Sequence, residues 1–193
     1  MKIRIWADFA CPFCYMGETQ LKKIITENGL EDSVELEYKA YELDPEAPVV
    51  PVESMKDHFA SSHDITPDEA EKEMEHIAKM ASRQNLTYNM EGVKVCSTFD
   101  AHRLVKYAKD NLDDGKVVEL CFKLFKANFT ENLALSDRET LARIGSEAGL
   151  DSEKVLDMLA GDSYKEAVRA DEAEAERRDL EYIPYLLLED GSV

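Results

Sequence analysis

Two cysteines near the start of the chain, Cys11 and Cys14, have the spacing of a redox-active dithiol. The nucleophile in disulfide exchange is a thiolate, so a reactive cysteine needs a lowered pKa. A helix N-terminus lowers it, because unpaired backbone N–H groups and the helix dipole stabilise negative charge there. Pro12 is typical of a first helical turn, which predicts that Cys11 lies at such a helix start.

The spacing also predicts a division of roles between the two thiols. Cys14 follows Cys11 by three residues, within one helical turn, so the pair can close a disulfide. We expect Cys11, nearer the helix end and more exposed, to attack a substrate disulfide, and Cys14 to resolve the mixed disulfide. Neither Pro12 nor Phe13 carries a charged or imidazole group, so we expect a Cys11 pKa between roughly 3.5 and 7, the range of such motifs.

Two other interpretations of the cysteine pair exist. The pair would be half of a zinc site only with two more close ligands, and Cys96 and Cys121 are neither near it nor paired, so we predict no metal. Alternatively, the two cysteines are incidental core residues. The strand immediately before them and the helix immediately after them disfavour this alternative. We expect Cys96 and Cys121 to be buried, apolar-like residues, with a regulatory role as the alternative.

The elements around the cysteines form a β–α–β unit. Residues 2–7 alternate between polar and apolar types, which predicts a strand with Ile3 and Ile5 on one face. The helix that follows is predicted to end at Asn28-Gly29. Residues 34–38 alternate again and form a second strand. The helix between the strands predicts that they run parallel with a right-handed crossover.

A proline-rich stretch, residues 41–52, predicts a stiff loop and a domain boundary. Helical patterns dominate beyond it to about residue 180. The helices or their capped starts are expected at Thr66–Glu69, 101–109, 117–129, Ser136–Glu139, Asp151–Lys154 and 162–179. We expect the last of these, rich in charge, to present a solvated face with i,i+4 ion pairs. Leu186–Leu188 is predicted to be a short buried strand, and Glu189–Gly191 a hairpin turn.

The charge balance excludes two classes of partner. The chain has 41 acidic and 23 basic residues, a net charge of −18, which repels nucleic acid and anionic membranes. The N-terminus lacks the apolar run of roughly 7–15 residues and the cleavage site of a signal peptide. No stretch reaches the roughly 18 apolar residues of a membrane span. We therefore expect a cytoplasmic protein with no nucleic-acid or membrane partner.

The chain resembles the DsbA family in its cytoplasmic, FrnE-type branch. The stretches that carry the resemblance are Asp8–Gly17, Tyr41–Pro45, Ser97–Leu104 and Ile183–Tyr185. The resemblance implies an α/β, thioredoxin-like fold with a large all-helical insertion domain. It divides the chain into a first thioredoxin-like part, a helical insertion and a second thioredoxin-like part, at residues 1–45, 46–160 and 161–193.

The resemblance also implies that Pro184 follows a cis peptide bond and faces the cysteines. The backbone of Ile183 then pairs with an extended substrate peptide beside Cys11, a short form of β-augmentation. From the residues alone, Pro184 is equally a strand-start proline.

Four further side chains are candidates for the substrate groove: Phe9, Tyr182, His102 and Arg103. For His102 and Arg103, one interpretation has them line the groove above the cysteines or bind an anion such as a glutathione carboxylate. The interpretation that we favour has them hold the helical insertion to the loop at Tyr41–Pro45.

Two departures from the family pattern affect these expectations. Tyr182 stands where relatives usually have glycine, and its ring is expected to narrow the substrate groove. The sequence given ends at Val193, where relatives continue with a further strand and a final helix, so an open strand edge is expected.

Thiol–disulfide exchange on proteins or small disulfides is the function that the sequence favours, as oxidase, isomerase or reductase, with thiol- or disulfide-containing proteins and small thiols as partners. We expect no bound cofactor, with glutathione as a candidate co-substrate. The alternative is a glutathione-dependent isomerase or transferase resembling the kappa class or the hydroxychromene-carboxylate isomerases, which keep serine where Cys11 stands. A third alternative is a non-catalytic, chaperone-like binding module. The oligomeric state is open, with a homodimer among the arrangements.

Overall fold

The structure is a computed structural model that describes residues 1–189. Its sheet has three strands among those residues: β1 (Lys2–Ala7), β2 (Glu35–Ala40) and β3 (Tyr185–Leu188), in the order β2–β1–β3. β2 runs parallel to β1, with Tyr38 opposite Ile5. β3 runs antiparallel on the other side of β1, with Leu186 opposite Ile5. The predicted parallel pairing of the first two strands is confirmed.

Helix α1 (Pro12–Glu27) connects β1 to β2. Cys11 is its N-cap and Pro12 its first residue, as the sequence predicts. Asn28 caps its C-terminus, and Gly29 follows with a φ of +62°, a left-handed conformation that glycine adopts at no steric cost.

Six α-helices and a short 3₁₀ helix (Met90–Gly92) follow between β2 and the last helix, all inside the predicted insertion. The α-helices are α2 (Met55–His63), α3 (Pro67–Ser82), α4 (Phe99–Asn111), α5 (Asp114–Phe129), α6 (Arg138–Ala148) and α7 (Ser152–Ala160). The last helix is α8 (Lys165–Arg177). One apolar cluster extends from Ile3 and Ile5 of β1 to Leu141 and Leu159, so the helices and the sheet share a core. The division into domains stays a prediction.

No helix in the described part of the chain has the length and apolar character that crossing a bilayer requires.

The helix starts agree with their predicted capping residues, except that the cap of α6 lies one residue later than predicted. Thr66 and Glu69 form the predicted capping box of α3. The prediction of Ser136 as the cap of α6 is wrong by one residue: Asp137 caps the helix and accepts a hydrogen bond from the backbone N–H of Thr140 at 3.0 Å. Its carboxylate is the stronger acceptor, and the Ser136 hydroxyl instead donates to the Val49 carbonyl at 2.5 Å.

The charged helix α8 is not only a solvated face, which corrects the expectation from its composition. Val168, Asp171 and Ala175 are buried on its inner side. The predicted ion pairing within the segment is present, for example between Glu174 and Arg178. Composition could not reveal the buried acid, because its partners Lys39 and Lys106 belong to other elements.

Strand β3 is half exposed, so the prediction that Leu186–Leu188 is buried is wrong. Leu186 is 42% exposed and Leu188 is 36% exposed. Side chains alternate along a strand, and it is Tyr185 that packs against Trp6, with ring centroids 5.9 Å apart. Glu189 lies in a turn, and the rest of the predicted 189–191 turn lies outside the described residues.

Candidate active site

Cys11 lies at a position that stabilises a thiolate. As the N-cap of α1, its Sγ accepts a hydrogen bond from the backbone N–H of Cys14 at 3.3 Å. The pKa of Cys11 is lowered, first by the hydrogen bond from the Cys14 thiol and then by the backbone N–H groups of Cys14 and Phe13. Burial and the charge of Asp8 oppose this shift without cancelling it. Cys11 is therefore the better nucleophile of the pair.

Cys14 has the opposite character. Its pKa is raised by burial and by the neighbouring Cys11. The expectation that Cys11 is the more exposed thiol holds only marginally, because Cys11 is 4% exposed and Cys14 is 0% exposed. Phe13 between them is 46% exposed and forms most of the surface at the motif. Both cysteines are free thiols in the structure.

Two side chains from the helical region hold the backbone on either side of Cys11. The Asn128 amide, on α5, donates to the Phe9 carbonyl at 3.0 Å. The Tyr88 hydroxyl donates to the Pro12 carbonyl at 2.7 Å. The turn that carries the nucleophile is therefore fixed by residues far along the chain.

Phe9, a candidate for the substrate groove, is buried, and its place in a groove stays a prediction. Its ring is buried between those of His102 and Phe125, with centroids 5.0 Å from each. An aromatic ring so enclosed anchors the β1–α1 turn to the helices behind it.

His102 contributes to structure through Asp8. Its Nε2 lies 3.4 Å from Asp8 Oδ1, and both side chains are buried. Asp8 also accepts a hydrogen bond from the backbone N–H of Leu43 at 2.8 Å. Burial raises the pKa of Asp8, but His102 and the Leu43 N–H outweigh it and hold that pKa below its usual value. The structural interpretation of His102 thus fits, with Asp8 as the link to the loop at Tyr41–Pro45.

The observed position of Arg103 agrees with neither interpretation drawn from the sequence. Its guanidinium is buried away from the cysteines and donates to Asp100 and to carbonyls at the end of α7 and just beyond it: Met158, Leu159, Gly161 and Ser163. The last carbonyls of a helix have no partner within it. Arg103 supplies these partners, and so fastens α7 to α4 rather than to the loop at Tyr41–Pro45.

The loop before β3 reaches the cysteine helix. The Ile183–Pro184 peptide bond is cis, as the resemblance implies. Pro184 packs on Gly17, where an added Cβ would lie 3.0 Å from Pro184 Cγ. The glycine allows this approach one turn beyond Cys14. Tyr182 is 69% exposed, so its ring stands in solvent at this end of the loop.

Glu18 is a site residue that the sequence analysis missed. It is 3% exposed, and neither carboxylate oxygen has a hydrogen-bond partner among the described residues. Burial raises the pKa of Glu18 to about 8, partly offset by the hydroxyl of Tyr38. The sequence did hold a signal: Cys11, Cys14 and Glu18, at i, i+3 and i+7, share one helix face.

A comparison with protein families decides which family this arrangement belongs to. A family model described as a DsbA-like thioredoxin domain matches residues 2–193. The chain belongs to the DsbA-like thioredoxin family. The family is one of thiol–disulfide oxidoreductases, and the α/β thioredoxin-like fold with helical insertion is confirmed.

Solved structures support this DsbA-like assignment. A "probable DsbA oxidoreductase" from Streptomyces coelicolor, SCO1869, is 29% identical, with a TM-score of 0.89 over 100% of this chain and 82% of that one. A 2-hydroxychromene-2-carboxylate isomerase is 15% identical, with a TM-score of 0.70 over 98% and 86%. The cytosolic disulfide reductase DsbM from Pseudomonas aeruginosa, solved with GSH, is 17% identical, with a TM-score of 0.66 over 98% and 86%. The last two show the fold alone.

Proposed function

We propose that this DsbA-like protein catalyses thiol–disulfide exchange with Cys11 as the nucleophile and Cys14 as the resolving thiol. The observation that carries the proposal is the asymmetry of the pair. Cys11 lies at the start of α1 with a lowered pKa, and Cys14 lies one turn deeper with a raised one. The Cys11 thiolate attacks first and the protonated Cys14 reacts second, which is the order that the reaction needs.

The surroundings of the pair support a peptide or small-thiol substrate. Phe13 offers an exposed ring at the motif, and Pro184 brings the loop before β3 onto α1. In this proposal, the backbone of Ile183 hydrogen-bonds to the substrate while Cys11 attacks its disulfide. No bound cofactor takes part, and glutathione is a redox co-substrate.

We further propose that the protein works as a reductase or isomerase in the cytoplasm, as a member of the FrnE-type branch. The DsbM neighbour is a cytosolic disulfide reductase. The net charge of −18 favours small thiols and proteins over nucleic acid and membranes as partners.

A glutathione-dependent isomerase is the second candidate. The fold similarity to the 2-hydroxychromene-2-carboxylate isomerase favours it. In that case glutathione is activated at the start of α1, and Cys14 is dispensable.

The deciding experiment follows thiol occupancy at equilibrium. The protein is incubated with graded ratios of reduced and oxidised glutathione, quenched with acid, alkylated and analysed by mass spectrometry. Reversible cycling between dithiol and Cys11–Cys14 disulfide is the expected result, and its midpoint separates oxidant from reductant. The Cys11→Ser variant should lose exchange, and Cys96→Ser, the control, should keep it. A glutathione adduct on Cys11 with no intramolecular disulfide would overturn the proposal in favour of the second candidate.

A further inference from the structure

We propose that Asp8 makes the Cys11–Cys14 pair more reducing, because its buried negative charge opposes the thiolate that the reduced pair carries at Cys11. The inference rests on the proposed function and concerns the direction in which the exchange runs. It starts from a carboxylate that lies in the turn before Cys11 and that takes no part in the exchange of bonds itself.

Asp8 is fixed in the turn that carries Cys11. Its carbonyl accepts a hydrogen bond from the backbone N–H of Cys11 at 3.0 Å. Its Oδ1 accepts one from the backbone N–H of Ala10 at 3.2 Å, and its Oδ2 accepts one from that of Leu43 at 2.8 Å. The carboxylate therefore has a defined position three residues before the nucleophile, and it is buried, with 1% of the residue exposed.

The surroundings of Asp8 keep it ionised, although no lysine or arginine in the described part of the chain pairs with it. Burial raises the pKa of Asp8, but His102 and the Leu43 N–H outweigh burial and hold that pKa below its usual value. The His102 Nε2 lies 3.4 Å from Oδ1 and makes no regular hydrogen bond. Glu42, the other acid near His102, is paired with Arg169 at 2.7 Å. Asp8 thus carries a negative charge at neutral pH that solvent does not screen.

This charge acts on Cys11. The pKa of Cys11 is lowered first by the hydrogen bond from the Cys14 thiol, and Asp8 works in the opposite direction. Two negative charges close together in a buried site repel each other, and here the repulsion exists only while Cys11 is a thiolate. The disulfide form has no charge at Cys11 and is free of this repulsion. Asp8 therefore disfavours the reduced pair relative to the oxidised pair.

The other acidic groups near Cys11 do not exert the same repulsion at neutral pH. Burial raises the pKa of Glu18 to about 8, so its carboxyl group is mostly protonated there. Tyr88 and Cys14 have raised pKa values, chiefly through burial, and keep their protons. Of these groups and Asp8, it is Asp8 that is ionised beside the nucleophile.

The stability of the reduced form fixes the reduction potential of a dithiol. In DsbA the thiolate is strongly stabilised, with a pKa of about 3.5, and the disulfide is a strong oxidant; in thioredoxin the nucleophile has a pKa of about 7 and the pair is a reductant. A fixed charge that destabilises the thiolate moves a pair from the first behaviour towards the second. Asp8 supplies such a charge in this protein.

The reaction that Asp8 favours is balanced. The Cys11 thiolate attacks a substrate disulfide, whose S–S bond breaks, and one substrate sulfur leaves as a thiolate. Cys14 then attacks Cys11 Sγ, the bond from Cys11 to the second substrate sulfur breaks, and the Cys14 proton ends on a substrate thiol. Two electrons pass to the substrate, and the negative charge beside Asp8 leaves with it. Two molecules of reduced glutathione, the co-substrate of the proposed function, return the pair to the dithiol and become oxidised glutathione.

The test compares wild type with Asp8→Asn, which removes the charge and keeps the shape of the side chain. Both proteins are equilibrated with graded ratios of reduced and oxidised glutathione. We expect the equilibrium constant for reduction of the Cys11–Cys14 disulfide to rise about tenfold in the variant, or about 30 mV for this two-electron couple. Alkylation of Cys11 by iodoacetamide, followed by mass spectrometry, should have its midpoint at a lower pH in the variant. A purely structural role of Asp8 would move neither quantity.

The control is Asp44→Asn, the same change at an exposed position of the loop that holds Asp8. Solvent screens this carboxylate, so both quantities should stay as in wild type. A wild type that cycles, together with an Asp8→Asn midpoint that is unchanged or more reducing, would overturn the role of Asp8 and leave the proposed function intact. Absence of a Cys11–Cys14 disulfide in the wild type would contradict the proposed function, and this inference with it.

If Asp8→Asn does not fold, the wild type decides alone. A Cys11–Cys14 disulfide that is fully reduced at low ratios of reduced to oxidised glutathione is a strong oxidant and overturns the inference. A disulfide that persists until reduced glutathione is in large excess supports it.

Discussion

Carboxylates on the two faces of the sheet lie in opposite electrostatic surroundings. Strand β2 turns Tyr38 toward Glu18 on one face and Glu37 toward a group of cations on the other. Burial raises the pKa of Glu37, but its cations outweigh burial and bring that pKa to about 2. Those cations, at 2.9–3.4 Å, are Lys2, Arg4, Lys39 and Lys109. Among residues 1–189 no cation pairs with Glu18, and its pKa is about 8.

We call the face that carries Glu37 and its cations the paired face. Its central residue is Asp171 on α8. It accepts a hydrogen bond from the Ala40 N–H at 2.9 Å and ion-pairs with Lys39 at 3.1 Å and with Lys106. This cluster joins β2, α4 and α8. Paired charge in this protein therefore holds elements together, whereas the unpaired acid Glu18 lies near the reactive thiols, where perturbed pKa values are expected.

The largest loss of stability on the paired face is expected when its central acid, Asp171, is removed. In Asp171→Asn, the largely buried Lys106 ammonium loses its carboxylate partner, whereas Lys39 keeps Glu37 and Glu174. We expect a loss of about 3 kcal/mol in the free energy of unfolding. Urea denaturation at neutral pH measures it. Glu166→Gln, at an exposed position of the same helix, should change stability by less than about 0.5 kcal/mol. A loss below about 1 kcal/mol in Asp171→Asn would show that this face does not depend on pairing.

The face that carries Glu18 should destabilise the folded protein as pH rises. The pKa of Glu18 is raised in the folded state, so its stabilising contribution is complete below its unfolded pKa and is lost as pH rises through about 8. We expect the stability of Glu18→Gln, relative to wild type, to increase by up to about 1.4 kcal/mol per pH unit between about pH 4.5 and 8. Urea denaturation at several pH values tests this. A difference that does not change with pH would mean that Glu18 is already ionised and solvated.

The smallest effect is expected for Glu37→Gln. Its dependence on pH has the opposite sign to that of Glu18→Gln. Its folded-state pKa is lowered, so its contribution is present above its unfolded pKa and is lost as pH falls through about 2. With a discount for solvent screening, we expect Glu37→Gln to be about 1 kcal/mol less stable than wild type at neutral pH. The gap should close in acid, as thermal unfolding at matched pH values can show. A gap that persists at about pH 2 would point to lost packing instead of lost charge.

The sequence was informative wherever the cause lay close in the chain. Cys11, Pro12 and Cys14 carry their own local signals, since a strand, a cap and a helix start lie within a few residues. The same is true of Thr66 and Glu69 at the start of α3. The placement of Pro184 came from the family resemblance, because the residues alone also allow a strand-start proline.

The remaining features depend on partners that are distant in sequence. Nothing near Arg103 indicates that it binds the end of α7, and nothing near Asp171 indicates two lysines from other elements. Asn128 and Tyr88 had no local signal either, because the carbonyls they bind belong to the β1–α1 turn and the start of α1. Glu18 was the exception, since its position on the apolar face of α1 could have been noticed.

The two hydrogen bonds that flank Cys11 have a consequence for how the protein is made. They join residues 9 and 128 and residues 12 and 88, so the nucleophile's turn is completed by contacts of large sequence separation. Such contacts form late in folding, because loop closure must come first. During synthesis on the ribosome, the two thiols emerge early and remain without their scaffold until more than a hundred further residues have been added. The nascent chain therefore carries reactive cysteines before it has the structure that directs them.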